Sequence, residues 1–152
     1  HEQNLAPGTE NTAAIVGFAR AVEVAVERQP AWAKESVRLR DCLRHALEER
    51  FPSRMENTPA ADTLPNTLNV SFPGYNGRRI VSELGMCGVA ISAGSACAAM
   101  GGAETSHVLR AMTTDQDRID GAIRVSFGHE SVPEDVTRLL EALAEVLPRC
   151  HK

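Results

Sequence analysis

The sequence predicts an α/β fold, an α+β sandwich in which a small mixed sheet of about three strands is covered by helices. Segments with apolar residues at helical spacing are interleaved along the chain with short segments in which apolar and polar residues alternate. The length of 152 residues suits one domain. The composition, 43% hydrophobic and 24% charged, is typical of a globular protein and argues against a disordered chain.

Two helices are predicted near the start of the chain, after a polar opening segment. Thr9 and Asn11 could each cap the first helix, which Pro30 is expected to end or interrupt. Its apolar face comprises Ile15, Phe18, Val22 and Val26. The second helix is predicted from about Trp32 to Arg50. Its apolar face comprises Leu39, Leu43 and Leu47.

Three strands are predicted further along the chain. Residues 67–72 and 122–127 alternate apolar with polar or small side chains, the pattern of a strand that is buried on one face. Residues 88–92, with the sequence GVAIS, read as a further strand between these two. Residues 51–66 are rich in Pro, Thr and Asp and are predicted to be a connector without strands.

Three more helices are predicted between and after these strands. The first is a short helix around Ile80, and the second covers residues 106–112. Pro133 opens the last helix, because proline is favoured at the first helical position. Its apolar face comprises Val136, Leu139, Leu140, Leu143 and Leu147. Residues 92–104 are small and rich in Gly and Ala, so most of them are expected to form a mobile loop.

Charge and cysteine content limit the classes of function. With 16 basic and 20 acidic residues the formal charge is −4, which gives no support for direct contact with nucleic acid or a membrane surface. No stretch reaches the roughly 20 apolar residues of a transmembrane helix. The four cysteines include no C-x-x-C pair, so no metal site is expected. So few cysteines do not form a disulfide scaffold, which favours a location in the reducing cytoplasm.

Cys97 is the leading candidate for a reactive group. It lies in the middle of the Gly/Ala-rich loop, whereas Cys42 and Cys87 lie within apolar patterns typical of buried cysteines. A thiol on an exposed loop of small residues could approach a substrate and carry a modification away. The alternative is a chance cysteine on a surface loop, since no neighbour in the sequence would lower its pKa.

Two further features could bind anions. Arg124 lies in the middle of a predicted strand, on the face opposite the apolar residues, where its guanidinium could hold a carboxylate in a bidentate fork. The alternative is an ordinary solvated strand face. Gly8 and Thr9 precede a predicted helix, where a hydroxyl and backbone N–H groups could bind a phosphate. The alternative here is a simple helix cap.

Five short motifs occur in a consistent order along the chain. They are PGTEN at 7–11, LPNTLNVSF at 64–72, SAGSAC at 92–97, SHVLRAM at 106–112 and IRVSFG at 123–128. Together they resemble the C-terminal part, the small domain, of the cysteine desulfurases of the Nif/Isc type. These enzymes belong to the class V branch of the fold-type-I enzymes that use pyridoxal phosphate (PLP). The form of the cysteine loop resembles the group with the longer loop.

The resemblance implies a reaction centred on Cys97. In the family, the aligned thiolate attacks the sulfur of L-cysteine bound to PLP, which gives L-alanine and a persulfide on the enzyme. The loop then delivers the sulfur to an acceptor protein. Such acceptors serve iron–sulfur cluster assembly or the sulfur modification of tRNA or DNA, and nothing in the residues decides among them.

The resemblance also assigns roles to other residues. Arg124 aligns with the arginine that binds the substrate carboxylate. Thr9, beside Gly8, aligns with the threonine that reaches the PLP phosphate of the neighbouring subunit in a homodimer. Asn66 and Asn69 match asparagines near the substrate entrance, and Asn69 is taken as a substrate-binding residue.

Two departures from the family pattern are visible. Ala6 stands where the family usually has arginine, and it could be natural or engineered. The lysine that forms the Schiff base with PLP is also missing, because Lys34 and Lys152 lack its sequence context. Residues 1–30 are therefore predicted to join the chain to a PLP-binding large domain outside this sequence, and residues 31–152 to form the small domain. The fragment alone is expected to be inactive.

Two other functions stay open. The chain could be a non-catalytic sulfur carrier of the same scaffold, loaded by another protein. It could also be an α/β interaction or regulatory domain in which Cys97 has no role. The first predicted helix would pack partly on the large domain and the dimer partner, so the chain alone is expected to associate or partly aggregate.

Overall fold

The computed structural model describes residues 8–94 and 106–152. The chain divides into two compact units, the first ending at Trp32 and the second beginning at Ala33. The long first helix, α1 (Thr12–Arg50), contributes to both. The assignment of residues 1–30 to a joining segment and of residues 31–152 to a small domain refers to a larger protein and stays a prediction.

Helix α1 is continuous through Pro30, so the prediction that this residue ends or interrupts a helix was wrong. Proline removes one N–H donor, but the helix-favouring residues that follow, among them Lys34 and Glu35, let the regular pattern continue. Of the two possible caps, Asn11 fills the role, because its Oδ1 accepts the Ala14 N–H at 3.0 Å.

The sheet has three antiparallel strands in the order β1-β2-β3. They are β1 (Met55–Glu56), β2 (Thr67–Ser71) and β3 (Ala122–Ser126), so the predictions at 67–72 and 122–127 are confirmed. Strand β1 lies in the predicted connector, where two residues are too short to show alternation. The prediction at 88–92 was wrong, because only Ser92 pairs there, in a single bridge to Arg124. The fold class is confirmed, with a sheet that is antiparallel rather than mixed.

Four shorter helices occur in the described part of the chain. They are α2 (Gly77–Met86), α3 (His107–Met112), α4 (Gln116–Asp120) and α5 (Pro133–Val146). A single 3-10 turn, Leu147–Arg149, follows the last of them. Helix α4 was not predicted, because five residues with one buried apolar side chain show no helical period. Within the described ranges, no helix is both long and apolar enough to cross a membrane.

The hydrophobic core lies on one face of the sheet. Leu68 and Val70 of β2 pair with Val125 and Ile123 of β3, and all four are 5% exposed or less. The predicted apolar faces of the second part of α1 and of α5 pack in the same cluster, which includes Leu39, Leu43, Leu47, Val136, Leu139, Leu140, Leu143 and Leu147. Because strand side chains alternate, the residues between these apolar pairs lie on the opposite face of the sheet.

Candidate active site

A row of four polar residues crosses the sheet on the face opposite the core. Asn57 follows β1 and donates its backbone N–H to Asn69 O of β2 at 2.9 Å. Asn69 is the register partner of Arg124 in β3, and Arg124 is bridged to Ser92. Asn57, Asn69, Arg124 and Ser92 therefore lie side by side across the sheet, and they are called the polar row below. It brings together two residues predicted for the substrate, Asn69 and Arg124.

Arg124 is exposed, and its backbone N–H and carbonyl oxygen are both paired with Ser92. The Arg124 N–H donates to Ser92 O at 2.6 Å, and the Ser92 N–H donates to Arg124 O at 3.1 Å. Its guanidinium has no hydrogen-bond or ion-pair partner among residues 8–94 and 106–152. A guanidinium on a rigid strand with its donors unused can bind a carboxylate through two parallel N–H···O bonds.

Asn69 is half-buried, and one end of its side-chain amide is already occupied. Its Oδ1 accepts from Asn57 Nδ2 at 2.7 Å, and its backbone N–H donates to Thr58 Oγ1 at 2.7 Å. Asn66 lies apart from the row and donates from Nδ2 to Phe127 O at 3.3 Å. Sequence reasoning missed Asn57 and Ser92, because their places beside Asn69 and Arg124 depend on pairing between distant segments.

Cys97 and most of its predicted loop lie outside the described residues, as does Ala6. The other cysteines differ in burial. Cys42 is exposed, contrary to the prediction from its apolar surroundings, because it lies off the buried face of α1. Cys87 is half-buried and Cys150 is buried. Burial, together with the nearby Glu83 carboxylate, raises the pKa of the Cys150 thiol, so this cysteine is a poor nucleophile.

Gly8 and Thr9 lie before the start of α1 and are exposed. Gly8 has a φ of 122°, a backbone conformation that favours glycine. Asn11 takes the Ala14 N–H, and the Thr12 N–H donates to Glu10 O at 2.9 Å, so these two donors at the helix start are already used. The Thr9 hydroxyl is the group here best suited to a phosphate oxygen. Gly8 and Thr9 belong to the first unit, whereas the polar row belongs to the second.

The two lysines of the sequence do not suit a Schiff base with PLP. Lys34 is exposed on α1. Lys152 Nζ lies 2.6 Å from Asp117 Oδ1 and 2.9 Å from Asp120 Oδ2. Hydrogen bonds to these two carboxylates raise the pKa of Lys152, which favours the protonated amine that cannot attack an aldehyde. The two lysines of this chain therefore do not supply the Schiff-base amine of a PLP site.

Comparisons with known proteins agree on one family. The model of the aminotransferase class-V family matches residues 2–139. The cysteine desulfurase IscS of Clostridium botulinum is 35% identical over 148 residues, which are 96% of this chain and 37% of that protein. A cysteine desulfurase of Gluconacetobacter diazotrophicus is 36% identical over 151 residues, 99% of this chain and 38% of that protein.

A solved structure points the same way. A NifS-like protein superposes with a TM-score of 0.80 at 36% identity, over 98% of this chain and 37% of that one. The chain therefore spans a little over one third of the length of the relatives it matches.

Proposed function

The chain belongs to the aminotransferase class-V family, and from this premise we propose that it is the C-terminal part of a PLP-dependent cysteine desulfurase. The whole enzyme converts L-cysteine to L-alanine and leaves a persulfide on Cys97. The observation that carries this proposal is the polar row, in which an arginine with no partner in the described part of the chain stands on a braced strand.

Arg124 and Asn69 form the binding site for the substrate carboxylate. The guanidinium of Arg124 supplies the charge and the bidentate fork, and the amide of Asn69 supplies a further hydrogen bond from the next strand. Ser92 supports this arrangement, because its bridge fixes the backbone of Arg124. Cys97 is five positions after Ser92 in the sequence, and a chain of that length spans at most about 18 Å. The thiol is therefore within chain reach of a substrate held by Arg124.

Cys97 acts as the sulfur acceptor. Its thiolate Sγ forms a bond with the sulfur of L-cysteine, and the carbon–sulfur bond of the substrate breaks. The substrate carbon keeps the electron pair of that bond and takes up a proton, which gives L-alanine and an enzyme-bound persulfide. When bound, PLP supplies the electron sink that makes this carbon–sulfur bond cleavable. The lysine that binds PLP lies outside this sequence.

The remaining roles concern partners. Thr9, beside Gly8, contacts the PLP phosphate of the neighbouring subunit in a homodimer. The persulfide passes to an acceptor protein, for iron–sulfur cluster assembly or for the sulfur modification of tRNA or DNA, in the cytoplasm. Family membership and the motifs around Thr9 and Cys97 support these assignments.

Complementation tests the proposal. The chain is mixed with the PLP-binding large domain of a class-V cysteine desulfurase, and L-alanine formation from L-cysteine is measured with and without each component. We expect alanine only from the mixture and none from the Cys97→Ser variant. The exposed Cys42 provides the matched control, because Cys42→Ser removes a thiol outside the site and should leave the rate unchanged.

The second arm of this test addresses the carboxylate site. Arg124→Lys keeps the charge but loses the fork, and we expect it to raise KM for L-cysteine about tenfold or more. Arg50→Lys, an equal change at an exposed arginine on α1, should leave KM unaltered. Alanine formation that survives Cys97→Ser would reject the assigned nucleophile. If no mixture forms alanine but Cys97 takes up sulfur from a donor enzyme, the chain is a sulfur carrier instead.

A further inference from the structure

Asn57 is a buried asparagine whose side-chain nitrogen and oxygen are both hydrogen-bonded. It is 6% exposed. Its Nδ2 donates to Asn69 Oδ1 and to Ser71 Oγ, each at 2.7 Å. Its Oδ1 accepts from Arg118 Nε at 2.6 Å. Rotating this amide by 180° would set its nitrogen against Arg118 Nε, and two donors cannot pair, so the amide has one orientation.

Arg118 determines that orientation. A guanidinium can donate hydrogen bonds but cannot accept them, so the atom of Asn57 that faces Arg118 must be the oxygen. The atom that faces Asn69 is then the nitrogen, a donor. Asn69 must therefore accept this hydrogen bond with its side-chain oxygen. Arg118, which can only donate, therefore sets the orientation of the Asn57 amide, and the Asn57 amide sets the orientation of the Asn69 amide.

As a consequence, the side-chain N–H groups of Asn69 remain available to donate hydrogen bonds to a ligand. No residue in the described part of the chain accepts from Asn69 Nδ2, and Asn69 is the register partner of the exposed Arg124 on the same face of the sheet. A carboxylate accepts hydrogen bonds and does not donate them. An outward Asn69 N–H would attract a carboxylate held by Arg124, whereas an outward carbonyl oxygen would repel it.

Arg118 is itself fixed in place. Its guanidinium also donates to Glu56 O at 2.9 Å, and its backbone N–H donates to Asp115 Oδ1 at the start of α4. It is separated from Asn57 by 61 residues along the chain. We propose that Arg118 and Asn57 are positioning residues that orient the amide of Asn69 so that it donates to the substrate carboxylate beside Arg124. This inference rests on the proposed function of Asn69 and Arg124.

The substitution Asn57→Asp tests the inference, because it should reverse the orientation of the Asn69 side-chain amide. The aspartate is nearly isosteric and pairs with Arg118, so the fold should be kept. A carboxylate can only accept, which forces Asn69 to turn its N–H groups toward residue 57 and its oxygen outward. In the complemented enzyme we expect KM for L-cysteine to rise about tenfold and kcat to change by less than about threefold.

Two other variants separate orientation from packing. Arg118→Lys keeps a donor opposite Asn57 and should keep KM within about threefold of the unmodified chain, whereas Arg118→Leu removes the donor and should raise KM as Asn57→Asp does. Asn76→Asp is the matched control, because it makes the same change at the cap of α2, where aspartate serves as well as asparagine. It should leave KM unaltered.

An NMR measurement on the 152-residue chain, with the exposed Ile15 and Phe18 replaced by glutamine to keep it monomeric, reads the orientation without any turnover. In the unmodified chain the Asn57 Nδ2 protons should show nuclear Overhauser effects to Asn69 and Ser71, and the Asn69 Nδ2 protons should show them to β3 side chains. In Asn57→Asp the Asn69 Nδ2 protons should instead approach the β-methylene protons of the substituted side chain. An unchanged Asn69 amide in this variant, or an inverted amide with unchanged KM, overturns the proposal. If no mixture makes alanine, the proposed function fails. The NMR result still decides whether residue 57 sets the orientation of the Asn69 amide.

Discussion

At the scale of single residues, Arg124 combines a guanidinium that has no partner within the described chain with a place in the middle of a paired strand. Several helical arginines are instead paired with a nearby carboxylate. Arg44 lies 2.7 Å from Asp41 and 2.8 Å from Glu56, and Arg38 lies 2.6 Å from Glu35. An exposed arginine normally finds such a carboxylate or stays in water. Arg124 lies in a strand between Asn69 and Ser92, which fixes its position, so its unused donors are available to bind a ligand.

The ion pairs of Lys152 predict a pH-dependent contribution to stability. Burial acts to raise the pKa of Asp120, but hydrogen bonds from Lys152 and Gln116 outweigh burial and lower it. The pKa of Lys152 is raised by its bonds to Asp117 and Asp120. Stability from Asp120 is therefore lost as pH falls through its lowered pKa, and stability from Lys152 is lost as pH rises through its raised pKa.

We expect Lys152→Gln to lower the free energy of unfolding at neutral pH by at most about 1 kcal/mol, because these groups are partly exposed. The difference from the unmodified chain should shrink below about pH 4 and above about pH 10. Urea denaturation across this range measures it, with Lys34→Gln as the control at an exposed lysine. A difference that is constant with pH would contradict the assignment to these ion pairs.

At the scale of elements, close backbone contacts decide where α4 meets β2 and where α2 meets β3. A Cβ built on Gly121 would overlap the carbonyl oxygen of Phe72, and one built on Gly77 would overlap that of Ala122. Both obstacles are backbone atoms, which cannot move aside as a flexible side chain can. Gly121 and Gly77 thus allow the helices to approach the end of the sheet at which Ser71 pairs with Ala122.

Gly121→Ala should therefore lower the free energy of unfolding by about 3 kcal/mol, since the backbone must shift to admit the methyl group. Gly85→Ala is the control within α2, because no atom lies within 4 Å of its added Cβ. That variant should be more stable than the unmodified chain by up to about 1 kcal/mol, as alanine favours a helix. Equal effects in urea denaturation would show that the contact at Gly121 is not tight.

At the scale of the whole molecule, the first unit leaves an apolar helix face in water. Ile15, Phe18, Val22 and Val26 recur on α1 and are 57%, 73%, 45% and 70% exposed. The expectation that this face packs on a large domain and a dimer partner stays a prediction. The chain spans a little over one third of the length of its relatives, and in the enzyme proposed above the PLP-binding large domain would cover this face.

We expect the chain by itself to associate through this face at micromolar concentration. Replacing Ile15 and Phe18 together by glutamine should increase the monomer fraction measured by size-exclusion chromatography with light scattering. Leu64→Gln, at an apolar residue that is 70% exposed outside α1, should leave the distribution unchanged. A monodisperse monomer of the unmodified chain would contradict the prediction.

The sequence by itself determined the amphipathic helices, the strands β2 and β3, and the family. Each of these features depends on a short stretch of sequence. The helices and strands follow from the 3.6-residue and 2-residue periods, and the family follows from short motifs such as those around Thr9, Asn69 and Arg124. The role of Cys97 stays a prediction of the same kind. The sequence also placed Asn69 and Arg124 among the site residues, but as separate motifs and without their neighbours.

Only the tertiary structure decided which segments pair. It showed β1 rather than residues 88–92 as the third strand, a helix that continues through Pro30, and the alignment of Asn57, Asn69, Arg124 and Ser92 across the sheet. It also brought Arg118 onto Asn57 from 61 residues away. The physical reason is that register and cross-strand contact depend on how distant segments fit together around the shared core, and no local period carries that information.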